Sequence, residues 1–192
     1  MRVIAGEYRS RLLASPTGMA TRPTSDRLRE TLFNVLAPRI GGARFLDLYA
    51  GSGAVGIEAL SRGAAHVTFV ERAAPALKVL RANLAGLGIE AGFKVHAISV
   101  GAFLRSASAP NPKPERYEVL FLDPPYEAEE EYEATLGSLG GPSTALLDLG
   151  AVVIAEHRRK DGLEERYGAL ERTRLLEQGD AALSFYQMAS RG

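Results

Sequence analysis

From residue 25 onward, apolar side chains recur at Leu28, Leu32, Val35 and Leu36, a spacing that predicts an amphipathic helix over Ser25 to Ala37. Thr24 can cap it, Asp26 complements its dipole, Pro38 and Gly41-Gly42 stop it, and Arg27 and Arg29 fall on its polar face. Upstream there are only short apolar pieces, Arg2-Val3-Ile4-Ala5 and Arg11-Leu12-Leu13-Ala14, broken by Gly6 and followed by Ser15-Pro16-Thr17-Gly18, which read as a small hairpin or irregular arm. Downstream the period switches back and forth between two and 3.6. Strands are predicted at Arg44 to Tyr49, His66 to Glu71, Phe93 to Ile98, Tyr117 to Leu122 and Ala151 to Ala155. Helices are predicted at Val55 to Arg62, Pro75 to Ala85 and Glu127 to Leu139, with Pro110 to Pro114 a loop. Such alternation builds βαβ units around a mostly parallel sheet covered on both faces, an α/β fold. Arg172 to Leu176 and Leu183 to Met188 flank Gly179-Asp180 and add an antiparallel edge, the sixth and seventh strands. Residues 1–24 are thus an arm and residues 25–192 one domain.

At 192 residues, with 46% hydrophobic and 24% charged positions, the chain can bury a full enzyme core. Having no cysteine excludes disulfides, thiolate zinc sites and a catalytic thiol, and three scattered histidines argue against a metal cluster, so no metal is expected. Arg2 has no apolar signal segment behind it, and the longest apolar run, Ala151 to Ala155, is too short for a bilayer. A soluble, cytoplasmic protein without a membrane partner is expected. The net charge of zero conceals an asymmetry. Residues 1–44 carry eight arginines against three acidic residues, and the remainder carries a matching excess of five negative charges. A basic arm on an acidic body points to a polyanion partner, although a solvated arginine face has the same composition.

The first strand runs into Ala50-Gly51-Ser52-Gly53-Ala54-Val55-Gly56, where glycines allow a ligand close to the backbone at the strand's carboxyl end. Gly51, Gly53 and Gly56 fit G-x-G-x-x-G, and Glu71, 18 residues after Gly53, is placed to accept from ribose hydroxyls. The loop alone fits NAD, S-adenosylmethionine or a tight turn without ligand. Asp47 leans the choice toward S-adenosylmethionine: a carboxylate there repels pyrophosphate, but can organise the loop or meet an ammonium. It could equally be a strand-end Asp bonded to nearby backbone N–H groups.

The fourth strand ends in Asp123-Pro124-Pro125-Tyr126, at the same carboxyl edge. Two prolines stiffen the segment and withdraw backbone donors, so the Asp123 carboxylate and the Pro124 carbonyl can act together as acceptors for an NH₂ group. Accepting both hydrogens of a nucleobase amine favours a pyramidal nitrogen whose lone pair can attack a methyl sulfonium. Tyr126 offers a face for the base, worth about 1–3 kcal/mol by analogy with other base–aromatic stacks. A Pro-Pro turn with Asp123 as a helix cap is the plain structural reading. Glu127, Glu129, Glu130, Glu131 and Glu133 read as a solvated, N-terminally acidic helix.

Taken with Met1-Arg2-Val3-Ile4-Ala5-Gly6, Thr21-Arg22-Pro23-Thr24-Ser25-Asp26-Arg27-Leu28-Arg29-Glu30, Leu32-Phe33-Asn34 and Gly179-Asp180, these motifs make the chain resemble the RsmD family of 16S ribosomal RNA guanine-N2 methyltransferases over essentially its full length. The resemblance implies a class I, Rossmann-like methyltransferase fold: a three-layer sandwich on a mostly parallel, seven-stranded sheet, with a small N-terminal arm. It implies that Asp47, Tyr49, Ala50, Gly51, Ser52 and Gly53 hold the methionine and ribose parts of S-adenosylmethionine, that Glu71 binds the ribose, and that Arg72 flanks the adenine. Ser99, followed by Val100, occupies the position that often carries Asp or Asn toward the adenine amine. The product would be S-adenosylhomocysteine. Asp123 and Pro124, with Pro125 stiffening them, would orient the guanine amine, Tyr126 would stack on the base, and Arg2, Arg9, Arg11, Arg22 and Arg27 would grip RNA.

The expected activity is methylation of a guanine flipped out of 16S rRNA, by a monomer acting on the small subunit or an assembly intermediate. Alternatives are a DNA amino-methyltransferase, a protein glutamine-N5 methyltransferase and a nucleotide-binding module without catalysis. His66, His96 and His157 read as surface or strand-end residues, and His157-Arg158-Arg159-Lys160 could extend the RNA footprint.

Overall fold

Apolar strands whose side chains are buried on both faces need helices above and below them. In the computed structural model, which describes residues 1–15, 25–109, 114–125 and 128–189, five helices meet that need. The elements in chain order are α1 (Asp26–Ile40), β1 (Arg44–Leu48), α2 (Ala54–Ser61), β2 (His66–Val70), α3 (Ala74–Leu87), β3 (Phe93–His96), α4 (Val100–Ala107) and β4 (Tyr117–Leu122). They continue with α5 (Glu129–Leu139), a 3₁₀ turn (Thr144–Leu146), β5 (Leu147–Arg158), β6 (Arg166–Tyr167), β7 (Leu170–Gln178) and β8 (Ala181–Met188). The sheet order is β3-β2-β1-β4-β5-β8-β7-β6. The first five strands in that order run parallel, and β8, β7 and β6 are antiparallel. Chain order reverses direction between β1 and β4, which opens the crevice where such sheets take ligands.

One core lies between the sheet and α1, α2 and α3, with Leu32, Phe33, Leu36, Ile57, Leu80 and Leu84 packed on Phe45, Phe69, Val119, Phe121 and Ile154. The second lies under α4 and α5, where Phe103, Leu104, Tyr132 and Leu136 meet Leu46, Leu48, Leu120 and Val153. Helix α2 approaches β2 so closely that a Cβ on Gly56 would lie 2.2 Å from Cε1 of Phe69. Gly56→Ala is expected to lower stability by about 1–3 kcal/mol, the usual cost of overpacking, as read by urea unfolding.

The structure corrects several sequence expectations. Ser25, not Thr24, caps α1, its Oγ accepting from Leu28 N–H at 3.1 Å; Thr24 lies outside the described residues. Pro38 does not stop α1, which continues to buried Ile40; Pro38 and Asn34, whose carbonyl loses its partner, both face water, so solvent satisfies the lost bond. Helix α4 was not expected; only eight residues long, it buries Val100, Phe103 and Leu104. The sheet has eight strands rather than seven, because Arg166 and Tyr167 pair with Glu171 and Leu170. Strand β5 runs well beyond Ala151 to Ala155 in both directions. Helix α5 begins at Glu129, and Glu127 lies outside the described residues, as do residues 110–113 of the proposed loop.

The largest correction is Arg29, which is fully buried rather than on a polar face. Its guanidinium donates to the Arg2 carbonyl and to Asp26 Oδ1 at 3.0 Å, and its Nε lies 3.7 Å from Glu58 Oε2 on α2. Burial lowers the Arg29 pKa, while the charges of Glu58 and Asp26 oppose that shift. Glu58, also fully buried, accepts from Ile4 N–H at 2.8 Å, Ala5 N–H at 3.1 Å and Arg62 Nε at 2.7 Å. The arm is therefore fixed to the core by a buried charge cluster. It closes on itself through an antiparallel bridge between Arg2 and Leu12.

Candidate active site

Side chains alternate across a strand, so Asp47 lies on the same face as Phe45, Asp123 continues the face of Val119 and Phe121, and Glu156 that of Val152 and Ile154. Strands β1, β4 and β5 are adjacent, and toward their carboxyl ends the three carboxylates gather, Asp123 and Glu156 two residues beyond the row formed by Asp47, Phe121 and Ile154. The electrostatics follow from that crowding. Asp123, half-buried, has its pKa raised well above the carboxylate range, first by burial and then by the charges of Glu156 and Asp47. Burial lifts Asp47 to about 7, against the bond from Gly56 and with help from the Glu71 charge. Glu156 is buried in β5, two residues before its end, and was not singled out in the sequence. Its signal was there: a carboxylate directly after the apolar run Ala151 to Ala155, as Asp123 directly follows its own strand.

The glycine loop is built from backbone that side chains resist. Tyr49, Gly51 and Gly53 have φ of 63°, 57° and 79°, and a Cβ on Gly53 would come within 2.1 Å of Leu80 Cδ1, so conformation and contact both demand glycine there. The left-handed Tyr49 is held by its hydroxyl, 2.7 Å from both Glu131 Oε2 and Thr135 Oγ1 on α5. Ala50, buried, donates its N–H to the Val70 carbonyl. Asp47 Oδ2 accepts from Gly56 N–H at 2.9 Å, so this carboxylate organises the loop and the start of α2. Glu71 Oε2 accepts from Gly51 N–H at 2.9 Å, and its Oε1 from Ala73 N–H at 2.7 Å. Asp47, Glu71 and residues 49–53 are thus brought together as the sequence led one to expect. Above Gly51, a Cβ would meet nothing nearer than the Tyr49 carbonyl oxygen at 4.0 Å, so the loop's outer side is open.

The other expected residues are placed less evenly. Arg72 is exposed beside Glu71. Ser99 caps α4, its Oγ accepting from Ala102 N–H at 3.3 Å, and Val100 is buried. Pro124 is buried and Pro125 exposed, the Pro125 carbonyl accepting from Ala128 N–H at 2.9 Å as the chain turns into α5. Tyr126 lies outside the described residues, as does Arg22. Arg2, Arg9 and Arg27 line one cleft of about 470 Å³ with Asp26 and Glu30. Arg11 is drawn elsewhere, donating to the Gly86 carbonyl at 2.9 Å. His157 cannot extend a basic surface: it is buried, with Nε2 2.9 Å from Ser184 Oγ and Nδ1 2.9 Å from the carbonyls of Arg158 and Asp161. Among the described residues no helix is long and apolar enough to cross a membrane.

Comparison with known proteins agrees with this geometry. The family described as Conserved hypothetical protein 95 matches residues 1–187. YlbH of Bacillus subtilis (strain 168), whose name proposes an rRNA methyltransferase, is 36% identical over 187 residues, 97% of this chain and 98% of YlbH. The Ribosomal RNA small subunit methyltransferase D of Escherichia coli (strain K12) is 42% identical over 126 residues, which make up 66% of this chain and 60% of that relative. A solved structure from Escherichia coli, yhhF, whose description proposes a methyltransferase, matches with a TM-score of 0.83 at 34% identity, covering 100% of this chain and 99% of its own.

Proposed function

The chain belongs to the RsmD family, described as Conserved hypothetical protein 95, and from that premise we propose that it is an S-adenosylmethionine-dependent rRNA methyltransferase acting on the N2 amine of a guanine in 16S rRNA. The small subunit or an assembly intermediate would present that guanine, and the protein would act in the cytoplasm as a monomer, its arm (residues 1–24) on the RNA and residues 25–192 carrying the chemistry. The observation that carries this reading is the position of Asp123: a half-buried carboxylate at the end of β4, in the crevice that the glycine loop of β1 also faces. An acceptor at that point suits an amine to be methylated.

The loop fits the cofactor. Its left-handed backbone, open outer side and flanking Glu71 carboxylate offer a close approach and a ribose acceptor. When bound, S-adenosylmethionine supplies an electrophilic methyl on a sulfonium. Asp123 and the Pro124 carbonyl accept the two amine hydrogens and hold the nitrogen in line for displacement. Once methylated, the amine nitrogen would be acidic, and Asp123 would take its proton, because burial and Glu156 raise its affinity for one. Tyr126 is assigned to stacking on the base, Arg72, Ser99 and Val100 to the adenine side. Arg2, Arg9 and Arg27, which share a cleft, and Arg11 and Arg22 are assigned to the RNA backbone.

A pH dependence follows. Only the ionised Asp123 can take the amine's proton, so kcat/KM should fall as pH drops through its raised pKa. Glu156→Gln removes a negative neighbour, lowers that pKa and should move the acid limb of the profile to lower pH. An unmoved limb would show that Asp123 does not govern it.

The acceptor class is tested by offering labelled S-adenosylmethionine with undermethylated small subunits, naked rRNA, DNA and a glutamine-bearing release-factor peptide. The proposal expects label on the particles. Label only on DNA or on the peptide's glutamine would replace it with one of the alternative amine acceptors.

A further inference from the structure

Asn83 stands on α3, 6% exposed, in a stripe otherwise formed by Leu77, Leu80, Leu84 and Leu87. A carboxamide among leucines must be hydrogen-bonded to be tolerated. Here its partners come from two separate parts of the molecule. Its Oδ1 accepts from Ala14 N–H at 2.8 Å and its Nδ2 donates to the Ala14 carbonyl at 3.1 Å, a two-bond clasp on the arm. The second Nδ2 hydrogen goes to the Ser52 carbonyl at 3.0 Å, in the middle of the glycine loop. Both donors and the acceptor of one planar group are therefore in use.

The surroundings make this a joint rather than an isolated bond. Leu80, one turn earlier on the same helix, lies directly under Gly53. The Gly86 carbonyl, near the end of that helix, receives Arg11. At its other end the arm is fixed to α2, where Glu58 accepts from Ile4 and Ala5, and the Ser61 carbonyl accepts from Glu7 N–H at 2.8 Å. The arm thus spans from the helix that follows the glycine loop to the helix on which the loop rests, and it carries Arg2 and Arg9 of the basic cleft.

We propose that Asn83 is a positioning residue that couples ligand seating in the glycine loop to docking of the arm. The amide is rigid and planar, so a displacement of the Ser52 carbonyl that turns it also strains or relieves the clasp on Ala14. The coupling is reciprocal: whatever favours the docked arm favours the loop geometry that takes the ligand. A cofactor-loaded protein then presents its basic cleft in one defined form. The proposal rests on reading the glycine loop as the S-adenosylmethionine seat.

The test is backbone amide hydrogen exchange of the full chain, with and without S-adenosylhomocysteine. In the wild type the ligand should slow exchange at the Ala14 amide by about fivefold or more, the lower range of couplings between sites. In Asn83→Leu, ligand should protect only the loop amides and bind about fivefold or more weakly on the same scale. A merely structural asparagine would change the Ala14 rate equally with and without ligand. Loop protection in the wild type with an unchanged Ala14 amide overturns the coupling, and so does equal transmission in Asn83→Leu. The wild-type comparison stands even if the variant does not fold. Absence of any S-adenosylhomocysteine binding overturns the cofactor reading itself, and the coupling with it.

Discussion

Asp123→Ala is expected to lower kcat by about 10²–10⁴-fold, the range for losing a group that stabilises and deprotonates the transition state. The loss should fall on turnover rather than folding. The carboxylate it removes is crowded by Glu156 and Asp47, and burial already disfavours its charge. Its deletion relieves repulsion and leaves the glycine loop's own bonds, from Gly51 to Glu71 and from Gly56 to Asp47, in place. S-adenosylhomocysteine affinity should therefore persist while methyl transfer disappears. Asp123→Asn separates charge from shape: its amide keeps one acceptor, but presents two donors to an amine that has only hydrogens to give. Its rate should lie close to that of the alanine variant. A variant that lost cofactor affinity along with turnover would place Asp123 in the cofactor seat instead.

The second large effect concerns folding. Arg29→Met leaves buried Glu58 with Arg62 as its remaining charged partner, and should cost about 3–5 kcal/mol, as breaking a buried ion pair does. Against a total stability of about 5–15 kcal/mol, that is a large share. Urea unfolding of Arg29→Met, Glu58→Leu and the double variant measures it. The double variant should recover part of the loss at the charge pair, yet remain below wild type, because Glu58 also accepts from Ile4 and Ala5. Single variants that add without coupling would mean that the 3.7 Å separation of Arg29 and Glu58 carries no energy.

The alternating strands and helices were legible because each buries its apolar side chains with a distinct period. The glycine loop was legible because few residue types take its left-handed backbone, and the Asp123 segment because its two prolines follow directly on an apolar strand. The arm's docking was not. Arg29 belongs to the buried stripe of Leu32, Phe33, Leu36 and Ile40 by helical spacing, but its charge hides that membership until Glu58 is seen opposite. Glu58 itself sits in the mostly apolar α2, its one carboxylate, and the two backbone N–H groups it accepts from, Ile4 and Ala5, are over fifty residues away along the chain, in the arm. Asn83 follows the same pattern on α3. Periodicity tells which face is buried, but not which distant backbone groups a buried polar residue serves. Helix α4 was missed for another reason: at eight residues it is too short for its period to stand out, and it is fixed by the Ser99 cap and the second core.

If this crevice methylates the N2 amine of a guanine in 16S rRNA, the identity of the modified nucleoside shows it most directly. Undermethylated small subunits would be treated with the protein and labelled S-adenosylmethionine, then digested, and the labelled nucleoside identified by mass and chromatographic retention. N2-methylguanosine, formed by the wild type and absent with Asp123→Ala, is the predicted result. Label in any other nucleoside, or N2-methylguanosine that persists without the Asp123 carboxylate, would contradict the account.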